Sequence, residues 1–407
     1  MKTIIFLETN KSGSSRDAIR AAEELGYYTV LFTSRKKFIM QREEFCDVHE
    51  MVLLNTRDTE QMLEYIDRLQ IQGKVVKGVI SFIDSLVSVA MELSEQLGLE
   101  GFTLASTKVM EDKILTRKAL KESPANVQFA VYDHSQTIDE FINSMTIEIP
   151  CIVKSPASTG SKDVHLVETI HELNEVMNQL KVENPQTPIL VEEYIDGQQW
   201  LIEAIVQNGD VDIIAIIGQE ITKQERFIIT GYYSLLDLDA AILASLKETL
   251  TEIIRAMGMM RGSCHFELRR VDKQWKLIEV NPRISGGAMN SMILYSLGIN
   301  LVEQTLRLYL GLPVDVSPTK HEFVYTHYLT ILTRGSIVKI AGKNRASRAD
   351  GVREVYIKPR KGMLVHPPTS MGHRYGYIIA AAETKEKAKH LAISAAKEIQ
   401  FYIEEQR

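Results

Sequence analysis

The sequence predicts an α/β protein of three units in series, and three observations carry that reading. Residues 1–105 alternate strand-like and helix-like runs in a βαβ order, the pattern of a parallel sheet. Residues 106–317 hold a smaller α/β unit, about 124–187, followed by long apolar runs joined by hairpin turns. Residues 318–407 form a β-rich α+β tail of short strands and a last helix. A chain of 407 residues exceeds one typical core, and 45% hydrophobic with 25% charged residues is ordinary for a globular protein. The formal charge of −6 leaves no basic excess to neutralise a phosphate backbone, so nucleic acid is not an expected partner. No apolar run approaches the roughly 20 residues of a membrane span, and the opening MKTIIFLETN is too short for a signal-peptide core. Cys46, Cys151 and Cys264 sit far apart in apolar runs and read as buried free thiols of a reducing compartment. A cytoplasmic protein without a membrane partner is expected; a homodimer is left open.

In the first unit, Thr3 to Leu7 reads as a buried strand, Ser14 or Ser15 as the cap of a helix to Leu25, and Tyr28 to Phe32 as the next strand. A helix from Asp58 to Leu69 and a strand from Val75 to Phe82 repeat the unit. The loop after the first strand lacks GxGxxG, so a dinucleotide fingerprint is absent. Asp84 follows the strand and opens an apolar helix reaching Leu97; it serves either as a cap or, beyond a strand's carboxyl end, as a ligand contact.

The second unit opens with a helix from Ser106 to Glu122 that carries Lys113 and Arg117 on a cationic face. Such a face is usually solvated. Beyond Pro124 come a strand Val127 to Tyr132, a helix Ile138 to Ser144, strands Cys151 to Lys154 and Val164 to Val167, and a helix Ile170 to Leu180. Lys154 ends its strand before the small-residue loop SPASTGSKD, where hydroxyls of Ser158, Thr159 and Ser161 and backbone amides suit phosphate. Ile189 to Ile195, ILVEEYI, is a strand interrupted by Glu192 and Glu193. Strands Trp200 to Val206 and Val211 to Ile217 flank the turn Asn208-Gly209-Asp210, and Leu238 to Met257 is an amphipathic helix stopped by Gly258. Further on, helices are expected near Asn290 to Leu297 and Leu301 to Leu310. The tail gives strands around Tyr325 to Leu332, Ser336 to Ala341, Val352 to Ile357 and Tyr377 to Ala381, then a helix Lys385 to Ile403.

Between Arg261 and Asn290 the chemistry concentrates. Runs Ser263 to Val271 and Trp275 to Val280 flank Asp272-Lys273-Gln274 as a hairpin. Pairing Val271 with Trp275 sets Glu267 opposite Glu279, and like charges roughly 5 Å apart are destabilising. A divalent cation between them removes that cost, oxygen ligands suit magnesium, and Asn281 adds a third oxygen on the same face. Pro282 then stops the ladder, Arg283 offers a planar cation, and Ser285-Gly286-Gly287 opens a loop whose amides can approach a ligand. The bland alternative is a surface hairpin with solvated glutamates.

This segment resembles the metal and phosphate site of the ATP-grasp superfamily, with a Glu on each of two adjacent strands, then Asn and Arg. The SGG after Asn281-Pro282-Arg283 is similar to the L-amino acid ligases, which join amino acids into dipeptides. The resemblance implies an N-terminal βαβ domain, a central ATP-grasp domain with a small lid subdomain, and a β-rich C-terminal domain. It assigns Lys113, Lys154, Ser161, Glu192, Glu193, Ile195 and Glu203 to ATP, Glu267, Glu279 and Asn281 to magnesium with manganese as a substitute, and Arg283 to catalysis. Asp84, Ser285, Gly286 and Gly287 fall near the amino-acid substrate. Similarity to the rhizocticin-type ligases would place arginine at the N-terminus of the dipeptide. The expected reaction is ATP-dependent ligation of two L-amino acids through an aminoacyl phosphate, giving ADP. The rivals are a purine-pathway ligase or biotin carboxylase type, and an ATP-binding regulatory module without chemistry.

Overall fold

The computed structural model describes residues 1–99, 103–156, 164–223, 227–368 and 371–405. Its first strand, Lys2–Leu7, is buried on both faces, which is why it reads as an unbroken apolar run. It pairs in parallel with Tyr28–Thr33 on one side and Val75–Ile80 on the other. Glu50–Leu53, too short and half-exposed to carry a sequence signal, adds the outer fourth strand.

Three expected helix starts move. The helix Ser14–Glu24 begins after Gly13, and Ser15 instead accepts the Asn10 amide at 3.0 Å. Asp84 opens no helix: the helix is Val87–Gln96, and its exposed first amides, those of Val87 and Ser88, go to the Glu111 carboxylate at 3.2 and 3.4 Å. A cap supplied from another helix leaves Asp84 free of that duty. The predicted helix from Ser106 is two helices, Leu104–Glu111 and Lys113–Ala119, because Asp112 between them accepts the amides of Ile114 and Leu115. A side chain that caps ends one helix and starts another.

A separate four-stranded antiparallel sheet runs in the order Phe129–Tyr132, Ile189–Glu193, Cys151–Lys154, Val164–Val167. Helices Ile138–Ser144 and Ile170–Glu183 cover it over a small core that includes Tyr132, Phe141, Val153 and Met177. The loop carrying Ser158, Thr159 and Ser161 lies outside the described residues.

The largest sheet has eight strands, in the order Gln274–Asn281, Arg261–Val271, Gln199–Gln207, Asp210–Lys223, Phe227–Ser234, Phe323–Leu329, Gly376–Ala382, Val352–Ile357. Its last three strands come from beyond residue 318, so one sheet runs from the hairpin of Glu267 and Glu279 into the C-terminal segment. The helix expected to run to Ile403 stops at Ala396. Gln400–Glu405 instead pairs with Gly335–Ala341, where Phe401 and Ile403 pack on a cluster containing Ile337 and Val365. Burial of that alternating pair decides for strand. The expectation of three buried thiols holds for Cys151 and Cys264, whereas Cys46 is exposed.

The hairpin at the centre reaches the expected pairing by another route. Val271 pairs with Gln274, not Trp275, so the loop is the two residues Asp272 and Lys273, both at positive φ (48° and 70°). That is the backbone of a tight turn matched to strand twist. The register would then miss by one, but a bulge at Ile278 restores it, and Glu267 faces Glu279.

Lys273 holds a left-handed conformation that costs a side-chain-bearing residue more than glycine. Lys273→Gly is expected to stabilise the fold by about 0.5–1 kcal/mol, read as a higher denaturant midpoint at unchanged m-value.

Candidate active site

Arg117 organises the site from below. It is one of the largest fully buried side chains, 2% exposed, and every face of its guanidinium has a use. Nε donates to Glu192 Oε1 at 2.6 Å, Nη1 to the Leu277 carbonyl and Nη2 to the Ile278 carbonyl, both at 2.8 Å. Gln274–Asn281 is the outermost strand of its sheet, so carbonyls on its free side need partners from elsewhere. The bulge turns two successive carbonyls toward one cation. Arg117 thereby holds the distortion that sets Glu279 opposite Glu267. The usual solvation of a cationic helix face does not apply here: the face of the helix Lys113–Ala119 that carries Arg117 is buried, and Lys113 opens that helix half-buried.

Glu192 was expected at the nucleotide. It is buried, with Arg117 on one oxygen and Lys154 Nζ on the other at 2.7 Å. Burial alone would raise its carboxyl, but Arg117 and Lys154 outweigh that and hold it below the usual carboxylate range. It therefore serves the cations, not a solvent-facing ligand. Burial lowers the Lys154 ammonium, whose field also includes Glu279, so the strand-end lysine and the metal pair share one locality. Glu193, half-buried, accepts the Gln128 amide at 2.8 Å. The Ile195 carbonyl accepts from Arg269, whose Nε donates to Gln199 at 3.1 Å, and Gln199 donates in turn to Glu267. Ile195, expected at ATP, and Glu267, expected at the metal, are thus joined through two side chains that were not singled out.

Glu203 was also expected near the nucleotide, and it is placed inward with no exposed surface. The register sets it opposite His265, two residues from Glu267 on the same face. Glu203 Oε1 lies 2.7 Å from His265 Nδ1, and Oε2 accepts the Ser285 amide at 3.1 Å. His265 Nε2 is 3.6 Å from Glu267 Oε1. Burial pushes the imidazole down, but the carboxylates of Glu203 and Glu267 outweigh it and hold the ring up at about 10. The alternation of His265, Glu267 and Arg269 along one strand was the signal that could have found His265 and Arg269. Gln199 had none, because only the strand order brings it there.

The Asn281 amide lies 3.3 Å from Glu279 Oε1. No group of three or more His, Cys, Asp or Glu stands gathered for a metal among the described residues. Two opposed carboxylates with an adjacent carboxamide are nevertheless a hard-oxygen set that fits magnesium, provided that phosphate oxygens complete the shell.

On the substrate side, Arg283 Nε donates to Asp84 Oδ1 at 2.6 Å, and Nη1 donates to the Ile284 carbonyl at 2.9 Å. The Ser285 hydroxyl is buried without a hydrogen-bond partner. Gly13 comes so close that a Cβ there would lie 3.0 Å from the Gly287 amide nitrogen. The first unit therefore closes over the Ser285-Gly286-Gly287 loop, and Asp84 meets Arg283 across that boundary.

Residues 147–291 match the family model of the ATP-grasp domain, which spans the lysine, the carboxylates and Arg283. Residues 19–101 match that of the ATP-grasp N-terminal domain. The chain belongs to the ATP-grasp superfamily. The tail of this ATP-grasp chain, residues 327–404, matches L-amino acid ligase C-terminal domain 2. Its fold is similar to an L-amino acid ligase from Bacillus licheniformis, at 20% identity, 99% of each chain and a TM-score of 0.83. It is similar as well to phosphoribosylglycinamide synthetase from Anaerococcus prevotii, at 16% identity, 99% of this chain, 100% of that one and a TM-score of 0.76. Among sequences, the uncharacterized protein y4rH of Sinorhizobium fredii is 23% identical over 99% of this chain and 83% of its own length. No helix among the described residues is long and apolar enough to cross a membrane.

Arg117→Met should destabilise the ATP-grasp chain by about 3–5 kcal/mol, because it leaves one oxygen of the buried Glu192 carboxylate and two carbonyls without donors, with Lys154 as the one remaining cation on Glu192. Chemical denaturation checks this, and Glu192→Gln added to Arg117→Met should recover none of the loss, because it leaves the buried Lys154 ammonium without its counter-charge.

Proposed function

We propose that this protein is an ATP-dependent carboxylate–amine ligase that joins two free L-amino acids into a dipeptide through an aminoacyl phosphate. The observation that carries the reading is the Glu267–Glu279 pair, set by the bulge at Ile278 within the field of Lys154 and followed directly by Arg283 and the glycine loop. The match of the tail to an L-amino acid ligase domain supports amino acids over other carboxylates.

A carboxylate does not react with an amine at neutral pH until one oxygen becomes a leaving group. Phosphoryl transfer from ATP needs neutralised charge and alignment more than covalent help. Lys113 and Lys154 would hold phosphate oxygens, while Glu193 and the backbone at Ile195 would bound the adenosine. Glu267, Glu279 and Asn281 would hold magnesium, which would supply positive charge against the phosphates. Arg283 would face the transferring group and then, with the Gly286 and Gly287 amides, the oxyanion formed as the amine attacks. Residues 124–187 would close over the site and keep water from the acyl phosphate.

Incubation with ATP, magnesium and single or paired amino acids is expected to release phosphate and ADP. AMP with pyrophosphate would overturn the mechanism. Phosphate release only with a purine-pathway amine, the second reading that the likeness to phosphoribosylglycinamide synthetase supports, would replace the amino acids. Glu267→Gln and Glu279→Gln should each cut turnover by about 100-fold or more while the protein stays folded, since several kcal/mol of charge stabilisation is lost.

Asp84 holds Arg283, so it is a counter-charge as well as a neighbour of the substrate. Asp84→Asn is expected to lower kcat/KM for arginine, methionine and alanine alike, by about 1.5–3 kcal/mol for a lost charged hydrogen bond. A loss confined to arginine would instead put the substrate guanidinium at Asp84, as the rhizocticin-type resemblance implies.

A further inference from the structure

We propose that His265 and Glu203 are positioning residues, which link Glu267, the carboxylate proposed for the metal, to the Ser285-Gly286-Gly287 loop through one chain of polar contacts. The role given to the loop rests on the ligase reading above, whereas the link to Glu267 rests on geometry alone.

Glu203 has no exposed surface, so each of its oxygens needs a partner. One oxygen lies 2.7 Å from His265 Nδ1 and the other accepts the Ser285 amide at 3.1 Å. The first contact fixes the plane of the imidazole. Its opposite nitrogen is then aimed at Glu267, 3.6 Å away. An imidazole suits this place because its two nitrogens stand on opposite edges of a rigid ring and can address two carboxylates at once. Partners of this kind around a ligating side chain restrict its orientation and commonly govern metal affinity.

Stability gives no reason for the arrangement. The opposite face of the same strand is filled by Cys264, Phe266 and Leu268, all fully buried, and an apolar pair at 203 and 265 would continue that packing without desolvating a charge. The carboxylate is also placed where the chain needs an anchor. Ser285 begins the loop that Gly13 approaches, and the Ser285 carbonyl is held separately by Asn290 Nδ2 at 3.0 Å. Both backbone polar groups of Ser285 are therefore pinned, one of them by the residue that also orients His265. Displacing Glu267 would be felt at the loop, and the reverse.

The test uses the full chain and two variants. His265→Asn keeps a short polar group toward Glu203 and removes the nitrogen facing Glu267. Electron paramagnetic resonance of manganese with ADP, without amino acids, should show its dissociation constant raised by about 10- to 100-fold, with the thermal midpoint near wild type. Glu203→Gln places an amide where the Ser285 N–H needs an acceptor. It should raise KM for the amino acids several-fold while leaving manganese–ADP affinity within about twofold, since the chain to Glu267 keeps its ring. Unchanged manganese affinity in folded His265→Asn overturns the proposal, as do equal effects of Glu203→Gln on both ligands. If His265→Asn does not fold, the KM split in Glu203→Gln decides, and if neither folds the pair is structural and the proposal falls. Failure of the ligase reading is seen separately, as wild type that binds manganese–ADP but releases no phosphate with any amino acid; the metal arm is then still read from His265→Asn.

Discussion

A carboxylate stays ionised in a protein interior only with cations at contact distance, and Glu192 has two of them. Its partners come from different parts of the chain: Arg117 from the short helix Lys113–Ala119 and Lys154 from the neighbouring strand of the small sheet. Because Arg117 also holds the Leu277 and Ile278 carbonyls, one buried guanidinium fastens the small sheet to the edge of the large one. A lysine in its place would offer a point charge without the planar fork that serves three acceptors in three directions. The arrangement fixes where Lys154 stands relative to Glu279.

The metal pair is a consequence of that attachment. An edge strand is free to distort, and here the distortion is one extra residue at position 278. Without it, the two-residue turn at Asp272-Lys273 would have set Glu267 opposite Ile278 and sent the Glu279 carboxylate to the other face. The like-charged pair is thus held by backbone geometry rather than by local attraction, which leaves both glutamates available to a cation. On the strand of Glu267 itself and the next one inward, His265, Arg269, Gln199 and Glu203 form a polar layer beside the pair.

On the far side, the Asp84–Arg283 contact joins the first unit to the hairpin segment across 199 residues of sequence. Asp84 could take this part because Glu111 caps the helix that follows it. The same boundary brings Gly13 against Gly287, so the substrate-side loop lies between two units and inherits its shape from both. A site assembled in this way changes shape when either unit moves.

By itself the sequence determined the α/β order, the two hairpins, and the side chains that stand as candidates for a metal and phosphate site. These are written in local patterns: period-two alternation, turn residues, and the run from Glu279 through Asn281 and Arg283 to Gly287. It even led to the right Glu267–Glu279 pairing with the wrong turn, since a loop one residue shorter and a bulge one residue long cancel. Only the tertiary structure decided which charges face inward. Glu192 and Glu203 resemble ligand-binding acids in a strand pattern, yet each is buried against a cation or a histidine contributed from elsewhere in the chain. Arg117, on a short helix of mixed polarity, gave no sign that it would be buried. The last strand, Gln400–Glu405, was decided in the same way, by a partner strand some sixty residues earlier at Gly335–Ala341. Periodicity records which residues share a face, but not what that face will meet, and the free energy of a buried charge depends on what it meets.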